Sequence, residues 1–267
     1  MTAALAFLRR GLITTLSYRL NLSLAIIGTL VGLLQYMFLA RFVSQGNSFP
    51  AIERYGGDLI SYFLVGTAYM AFVAASLESF HNTVRSEQQM GTLEFLFISE
   101  HPIWLTLFYS GLWNFLRALL DVAVFFAILV LAFRVPLHAN LLAAAVVLAL
   151  TVAAVSGIGF CSAGIVLVTK RGDPFGWLFS AVSSLVSGVL FPTEILPYPL
   201  QALAQCLPTT HALRALRLAL MVRAPLPALV PELRVLALMA AVTVPAGLVV
   251  LRWGFNVSRR CGTLGEY

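Results

Sequence analysis

Residues 22–40, LSLAIIGTLVGLLQYMFLA, contain no charged side chain, and the chain carries several more stretches like this one. A run of this length is long enough for a helix to cross the ~30 Å hydrocarbon core of a bilayer. In lipid, backbone N–H and C=O groups must find partners within the protein, which makes helices the natural element for such runs. The whole chain fits that setting. Its 267 residues hold 17 basic and 11 acidic side chains, 10% of the total, and 60% of the residues are hydrophobic. Soluble domains are about 25% charged. A soluble fold of this size would still leave about a quarter of its unfolded surface outside, so lipid must be the solvent for much of it. This excludes an ordinary soluble enzyme and a nucleic-acid-binding module, despite the net charge of +6.

Six spans are expected: 22–40, 59–77, 105–133, 139–168, 176–191 and 235–255. The third is interrupted only by Arg117 and Asp121. At 1.5 Å per residue it would be about 43 Å long, so it should tilt or project from the bilayer. The fifth is short and closes at Pro192; the sixth ends beside Arg252 and Trp253, a pairing that suits a membrane interface. Residues 3–20 place Leu5, Leu8, Leu12 and Leu16 on one helical face and Arg10, Thr14 and Ser17 on another. That pattern suits a helix lying in the interface, and the long apolar run after it argues for a retained span rather than a cleaved leader. Residues 192–224 are cut by Pro197, Pro199 and Pro208 into pieces too short to cross. They are expected to form short helices dipping into the bilayer between spans five and six. The reading is therefore an all-α, polytopic, single transmembrane domain over residues 1–267.

Six spans put both termini on one side. With the termini inside, the inner segments hold nine basic residues, Lys170 among them, against seven outside. Four of the outer seven lie in the long 192–234 segment, where charge counts less. The expected placement is a multi-pass protein of a prokaryotic cytoplasmic (inner) membrane, with cytoplasmic termini.

Groups for catalysis are scarce. There is no HExxH, no GxSxG and no membrane-protease pair of Asp residues, and the four His are scattered over span ends and loops. Cys161, Cys206 and Cys261 lie far apart, with no CxxC and no Cys/His metal spacing. Neither a metal site nor an enzyme is expected. A P-loop needs GxxxxGK[ST], whose Lys reaches the β/γ-phosphates. The single Lys, Lys170 in IVLVTKRGD, has neither the Gly before it nor the Ser/Thr after it. Any ATP-driven work needs an ATPase on another polypeptide, with ATP and Mg bound there and no cofactor on this chain.

Intramembrane charge marks proton and ion paths. Arg117 and Asp121 stand i, i+4 on span three and can pair on one helix face. Each alone at the bilayer centre costs about 2.5–3.5 kcal/mol on insertion scales. One reading is a self-neutralised structural pair; the rival is ion coupling in a stand-alone secondary transporter or channel.

Three further features carry the functional reading. Residues 85–99, RSEQQMGTLEFLFIS, alternate charged and apolar residues at helical spacing, as expected of a short amphipathic helix on the inner surface. Ser180, Ser183, Ser184, Ser187 and Gly188 form one small, polar stripe on span five. Such a stripe fits tight packing in the bundle, a subunit interface or the wall of a translocation path. The third is SGVLFPTEILP, continuing to LPTTHALRALR.

Taken together, these segments resemble the membrane subunit of a type-2 ABC exporter. Glu87, Gly91, Thr92 and Glu94 match an E-x-x-x-GT-x-E pattern on the inner coupling helix of that family. Gly188, Phe191, Pro192, Pro197, Leu207, Pro208, His211 and Arg217 match its signature after span five. The likeness covers nearly the whole chain. It implies an N-terminal interfacial helix, six spans, and short re-entrant helices at the outer face. It also implies pairing with a second permease subunit, identical or not, and docking of two ABC ATPase subunits. Glu87, Gly91, Thr92, Glu94 and Phe97 would couple to the ATPases. Gly188, Phe191, Pro192, Pro197, Pro208 and His211 would form an outer gate. Ser180, Ser183, Ser184 and Ser187 would line the path or the dimer interface. The implied function is export of an amphipathic drug, lipid or lipid-linked molecule through the lipid membrane.

Overall fold

The computed structural model describes residues 19–43, 50–56, 58–89, 116, 119–120, 122–124, 139–169 and 173–260. Among these the fold is all helical. The helices are α1 (Arg19–Val43), a single turn α2 (Pro50–Glu53), α3 (Leu59–Gln89), α4 (Leu141–Thr169), α5 (Pro174–Val186), α6 (Tyr198–Gln205), α7 (Pro208–Met221) and α8 (Leu226–Arg260). A 3-10 turn, Thr193–Ile195, lies between α5 and α6. Three stretches are long and apolar enough to cross a membrane: Leu59–Glu78, Leu141–Thr169 and Leu226–Arg260. They cover the second, fourth and sixth expected spans. α1 covers 22–40, and the expected interfacial helix at 3–20 lies almost wholly outside the described residues.

Helix starts follow local chemistry. Asp58 caps α3 by accepting from the Ser61 N–H at 3.0 Å. Asn140 caps α4 by accepting from the Ala143 N–H at 3.2 Å. Asp173 caps α5 by accepting from the Gly176 N–H at 2.8 Å, with Pro174 in the first turn, where a missing N–H costs nothing.

α3, α4 and α8 run in the same direction. The starts of α3 and α4 both meet α7: the Tyr62 carbonyl accepts from Arg217, and the Asn140 N–H donates to the Ala219 carbonyl at 2.8 Å. Farther along, Phe72 and Val122 pack together beside Leu148 and Val152. Along the α4–α8 seam, Thr243 donates to the Ala154 carbonyl at 3.0 Å, and Ser258 donates to the Leu167 carbonyl at 2.8 Å. Gly157 and Gly164 on α4 face Gly247 and Gly254 on α8, and a side chain at any of the four would run into the opposite backbone. Small residues at seven-residue spacing let the two backbones touch. In lipid this close van der Waals packing, rather than water exclusion, holds helices together.

α5 returns antiparallel. Its start is tied to α4, where the Ser162 hydroxyl donates to Asp173 at 2.5 Å. Its far end reaches the start of α3, where the Tyr62 hydroxyl donates to the Gly188 carbonyl at 3.0 Å. The fifth span expected at 176–191 is corrected here: the helix stops at Val186. Ser187 closes the last turn through its N–H to the Ser183 carbonyl at 2.9 Å. Gly188 then takes a left-handed φ of +83°, open to glycine at little steric cost. Thirteen residues rise about 20 Å, short of the hydrocarbon core.

Residues 192–224 fold as the prolines suggest. Pro197 precedes α6, Pro199 lies in its first turn, and Pro208 opens α7. α7 is not peripheral: Thr209, Thr210, Ala212, Leu213 and Ala215 show no exposed surface, and the helix packs among α3, α4 and α8. It ends in a reverse turn, with Arg223 at φ 54° and the Ala224 N–H bonded to the Leu218 carbonyl at 3.0 Å. The Asn140 amide donates to the Ala224 carbonyl at 3.1 Å and pins this turn to α4.

Candidate functional site

The polar groups of the bundle gather where α5 breaks and α7 enters. Arg217, only 2% exposed, lies at the centre. Its guanidinium donates to the carbonyls of Gly188 at 2.7 Å, Val189 at 2.9 Å and Tyr62 at 3.1 Å. Its Cζ stands 3.4 Å from the centre of the Tyr62 ring, so the cation lies over a π-face. The Tyr62 hydroxyl also donates to the Gly188 carbonyl, at 3.0 Å. The break at 187–189 interrupts the helical bonding of α5, and unpaired backbone groups in an apolar setting are costly. A planar fork of donors reaching three carbonyls is what an arginine supplies and a lysine does not. Gly66 keeps the space clear: a Cβ there would lie 2.5 Å from the Val189 carbonyl oxygen and 2.7 Å from the Arg217 guanidinium.

A second layer of charge surrounds this core. The Arg54 guanidinium meets Glu194 at 2.5 Å, and Arg214 approaches Glu194 at 3.9 Å and Glu232 at 4.0 Å. Arg214 also donates to the Thr193 hydroxyl at 2.8 Å. His211 contacts Glu232 through Nδ1 at 2.5 Å and the Gln205 carbonyl through Nε2 at 3.0 Å. Burial pushes the Glu194 carboxyl up, but its backbone bonding and Arg54 outweigh this and hold it below the ordinary carboxylate value. The network links the turn after α2, the 3-10 turn, α6, α7 and α8.

The expected gate residues converge here in part. Gly188 lies in the break and the buried Pro192 just after it, and Pro208 opens the helix that carries His211 and Arg217; His211 meets Glu232 and Gln205 instead, Phe191 is half-buried and Pro197 exposed. The serine stripe divides. Ser187 is buried and hydrogen-bonds the Thr209 hydroxyl at 2.6 Å. Ser183 is buried, and its hydroxyl has no hydrogen-bond partner among the described residues. Ser180 is half-buried, and Ser184 is exposed, bonding the Ala181 carbonyl of its own helix at 2.8 Å.

Of the expected coupling helix at 85–99, only residues 85–89 are described. Residues 85–89, Glu87 included, continue α3 rather than starting a separate helix. Nothing in 79–89 breaks a helix; the first glycine comes at 91. Gly91, Thr92, Glu94 and Phe97 lie outside the described residues, as do Arg117 and Asp121.

Sequence reasoning matched Arg217 to a motif without a role, and missed Tyr62, Glu194, Arg214 and Glu232 altogether. The one available signal was charge placed inside apolar segments: Arg217 within HALRALRLALM, and Glu232 near the start of a spanning helix.

A family model described as ABC-2 family transporter protein matches residues 40–249. The match covers most of the chain, which therefore belongs to the ABC-2 transporter family, a class of membrane transport proteins. No curated protein sequence matches it.

Proposed function

We propose that this chain is the permease subunit of an ABC exporter and is driven by two separate ATPase subunits docked on its inner face. In this reading it spans a prokaryotic inner membrane six times, with cytoplasmic termini, and pairs with a second permease subunit. Residues 85–99, with Glu87, Gly91, Thr92, Glu94 and Phe97, receive the ATPases, which carry ATP and Mg. The break at Gly188–Pro192, with Pro197, Pro208 and His211, forms the outer gate. Ser180, Ser183, Ser184 and Ser187 belong to the path or the subunit interface. The cargo is an amphipathic drug, lipid or lipid-linked molecule.

The observation that carries the reading is the parallel set α3, α4 and α8 with the antiparallel, broken α5 between α4 and α7. Even-numbered passages of a six-span chain share a direction, and odd-numbered ones oppose it. The exposed apolar side chains Leu238, Val242, Val249 and Trp253 along α8 suit contact with lipid. The glycine-bearing break beside a helix buried at one end suits a gate that opens by a hinge rather than by chemistry. The test is Glu94→Arg. The variant should lose co-purifying, P-loop-dependent ATP turnover by about tenfold, since reversing a charge at a docking surface removes one attraction and adds one repulsion. Unchanged turnover and unchanged association would reject residues 85–99 as the docking site.

A further inference from the structure

Both ring nitrogens of His211 face atoms that only accept. Nδ1 meets the Glu232 carboxylate at 2.5 Å, and Nε2 meets the Gln205 carbonyl at 3.0 Å. A neutral imidazole has one N–H and can satisfy only one of them. The geometry therefore calls for one more proton than a neutral histidine and an ionised glutamate hold between them.

The setting favours that proton. Gln205 ends α6, where helix carbonyls lack intrahelical partners. Glu232 lies near the start of α8. On its own helix His211 is followed by Arg214, which approaches both Glu232 and Glu194, and Glu194 in turn holds Arg54. α4 and α5 carry no Asp, Glu, Lys, Arg or His, and those of α3 lie in its distal half, from Glu78 on; Tyr62 and Tyr69 are its other ionisable groups. Arg214 and the positive end of α7 oppose a charge on the ring. The Glu232 hydrogen bond outweighs them together with burial, and holds His211 above its ordinary value.

We propose that a proton shared by His211 and Glu232 is a structural part of this site, latching α6 and α8 onto α7. When it leaves, one of the two contacts sets acceptor against acceptor, and α6 is freed from α7. The latch is complete below the ordinary histidine pKa and is lost as pH rises through the raised value in the fold. Which compartment's pH acts on it rests on the outer-gate reading above.

The test uses the full chain in lipid nanodiscs with 15N-labelled histidine, and His211→Gln identifies the signal among the four His. Both His211 nitrogens should be protonated at about pH 6, below the ordinary histidine value. Hydrogen exchange of the α6 amides, corrected for base catalysis, should rise by about tenfold as that signal titrates. In Glu232→Gln, the amide can donate to Nδ1 of a neutral His211 while Nε2–H still meets the Gln205 carbonyl, so exchange should stay slow and independent of pH. A neutral His211 tautomer at about pH 6, below the ordinary histidine value, would overturn the latch. So would α6 exchange indifferent to the titration in the wild type. A separate measurement addresses the outer-gate reading. With Cys161→Ala and Cys261→Ala, the exposed Cys206 should react with an impermeant maleimide added outside intact cells. Labelling only from the inside would reject the outer placement and leave the latch standing.

Discussion

Replacing Arg217 by Lys keeps the positive charge and removes the fork. The three carbonyl acceptors, at 2.7, 2.9 and 3.1 Å, are reached by two nitrogens of one plane. An ammonium on its single stem meets one of them well, or two poorly. Each hydrogen bond to a charged group contributes about 1.5–3 kcal/mol net, so losing one to two costs about 2–5 kcal/mol. Retaining a charge does not offset this, because an ammonium is more strongly hydrated than a guanidinium and is harder to bury. By the scaling for chains of about this size, the midpoint of thermal unfolding should fall by roughly 5–15 °C. The assay is thermal unfolding of purified protein in detergent, with the exposed Arg234→Lys as a control expected to shift stability by less than about 0.5 kcal/mol. Arg217→Met removes all three bonds and leaves three carbonyls unpaired, so it should cost at least as much as Arg217→Lys. If Arg217→Lys unfolds with the wild type while Arg217→Met collapses, then charge rather than the carbonyl fork organises the break, and the reasoning fails.

Two other substitutions separate packing from function. Gly247→Val drives a side chain into the α4 backbone at Gly157 and should cost about 1–3 kcal/mol or more; α4–α8 cysteine crosslinks at positions 154 and 243 should weaken with it, and unchanged crosslinking would contradict the close seam. Asp121→Asn should lower expression or thermal stability while sparing transport if Arg117–Asp121 is a structural pair; loss of transport at normal stability would favour ion coupling instead.

The architecture was legible wherever one run of residues carries its own signal. Runs with no charge, or with Arg252 alone near one end, announced the candidate spans at 59–77, 139–168 and 235–255, because burial in lipid imposes composition residue by residue. Prolines 197, 199 and 208 marked the short helices, because each restricts its own backbone. The end of α5 was misplaced by five residues. Ser187–Phe191 is as apolar as a helix, and the turn depends on a single glycine φ and on carbonyl partners supplied from elsewhere. The polar site was the least legible part. Arg217 finds Tyr62 across 155 positions, and His211 finds Glu232 across 21. Such pairings exist only after three helices have packed. The glycines at 157, 164, 247 and 254 were visible as letters, but their meaning required knowing that α4 and α8 run in parallel.

The central claim is that an ATPase on another polypeptide drives this chain through residues 85–99. A photo-crosslinking amino acid placed at Glu94 in living cells tests it most directly. A crosslinked product containing a P-loop ATPase is expected, absent when the same probe replaces the exposed Trp253. Transport activity in a purified, reconstituted chain lacking any nucleotide-binding partner, with no ATPase crosslinked at Glu94, would contradict it.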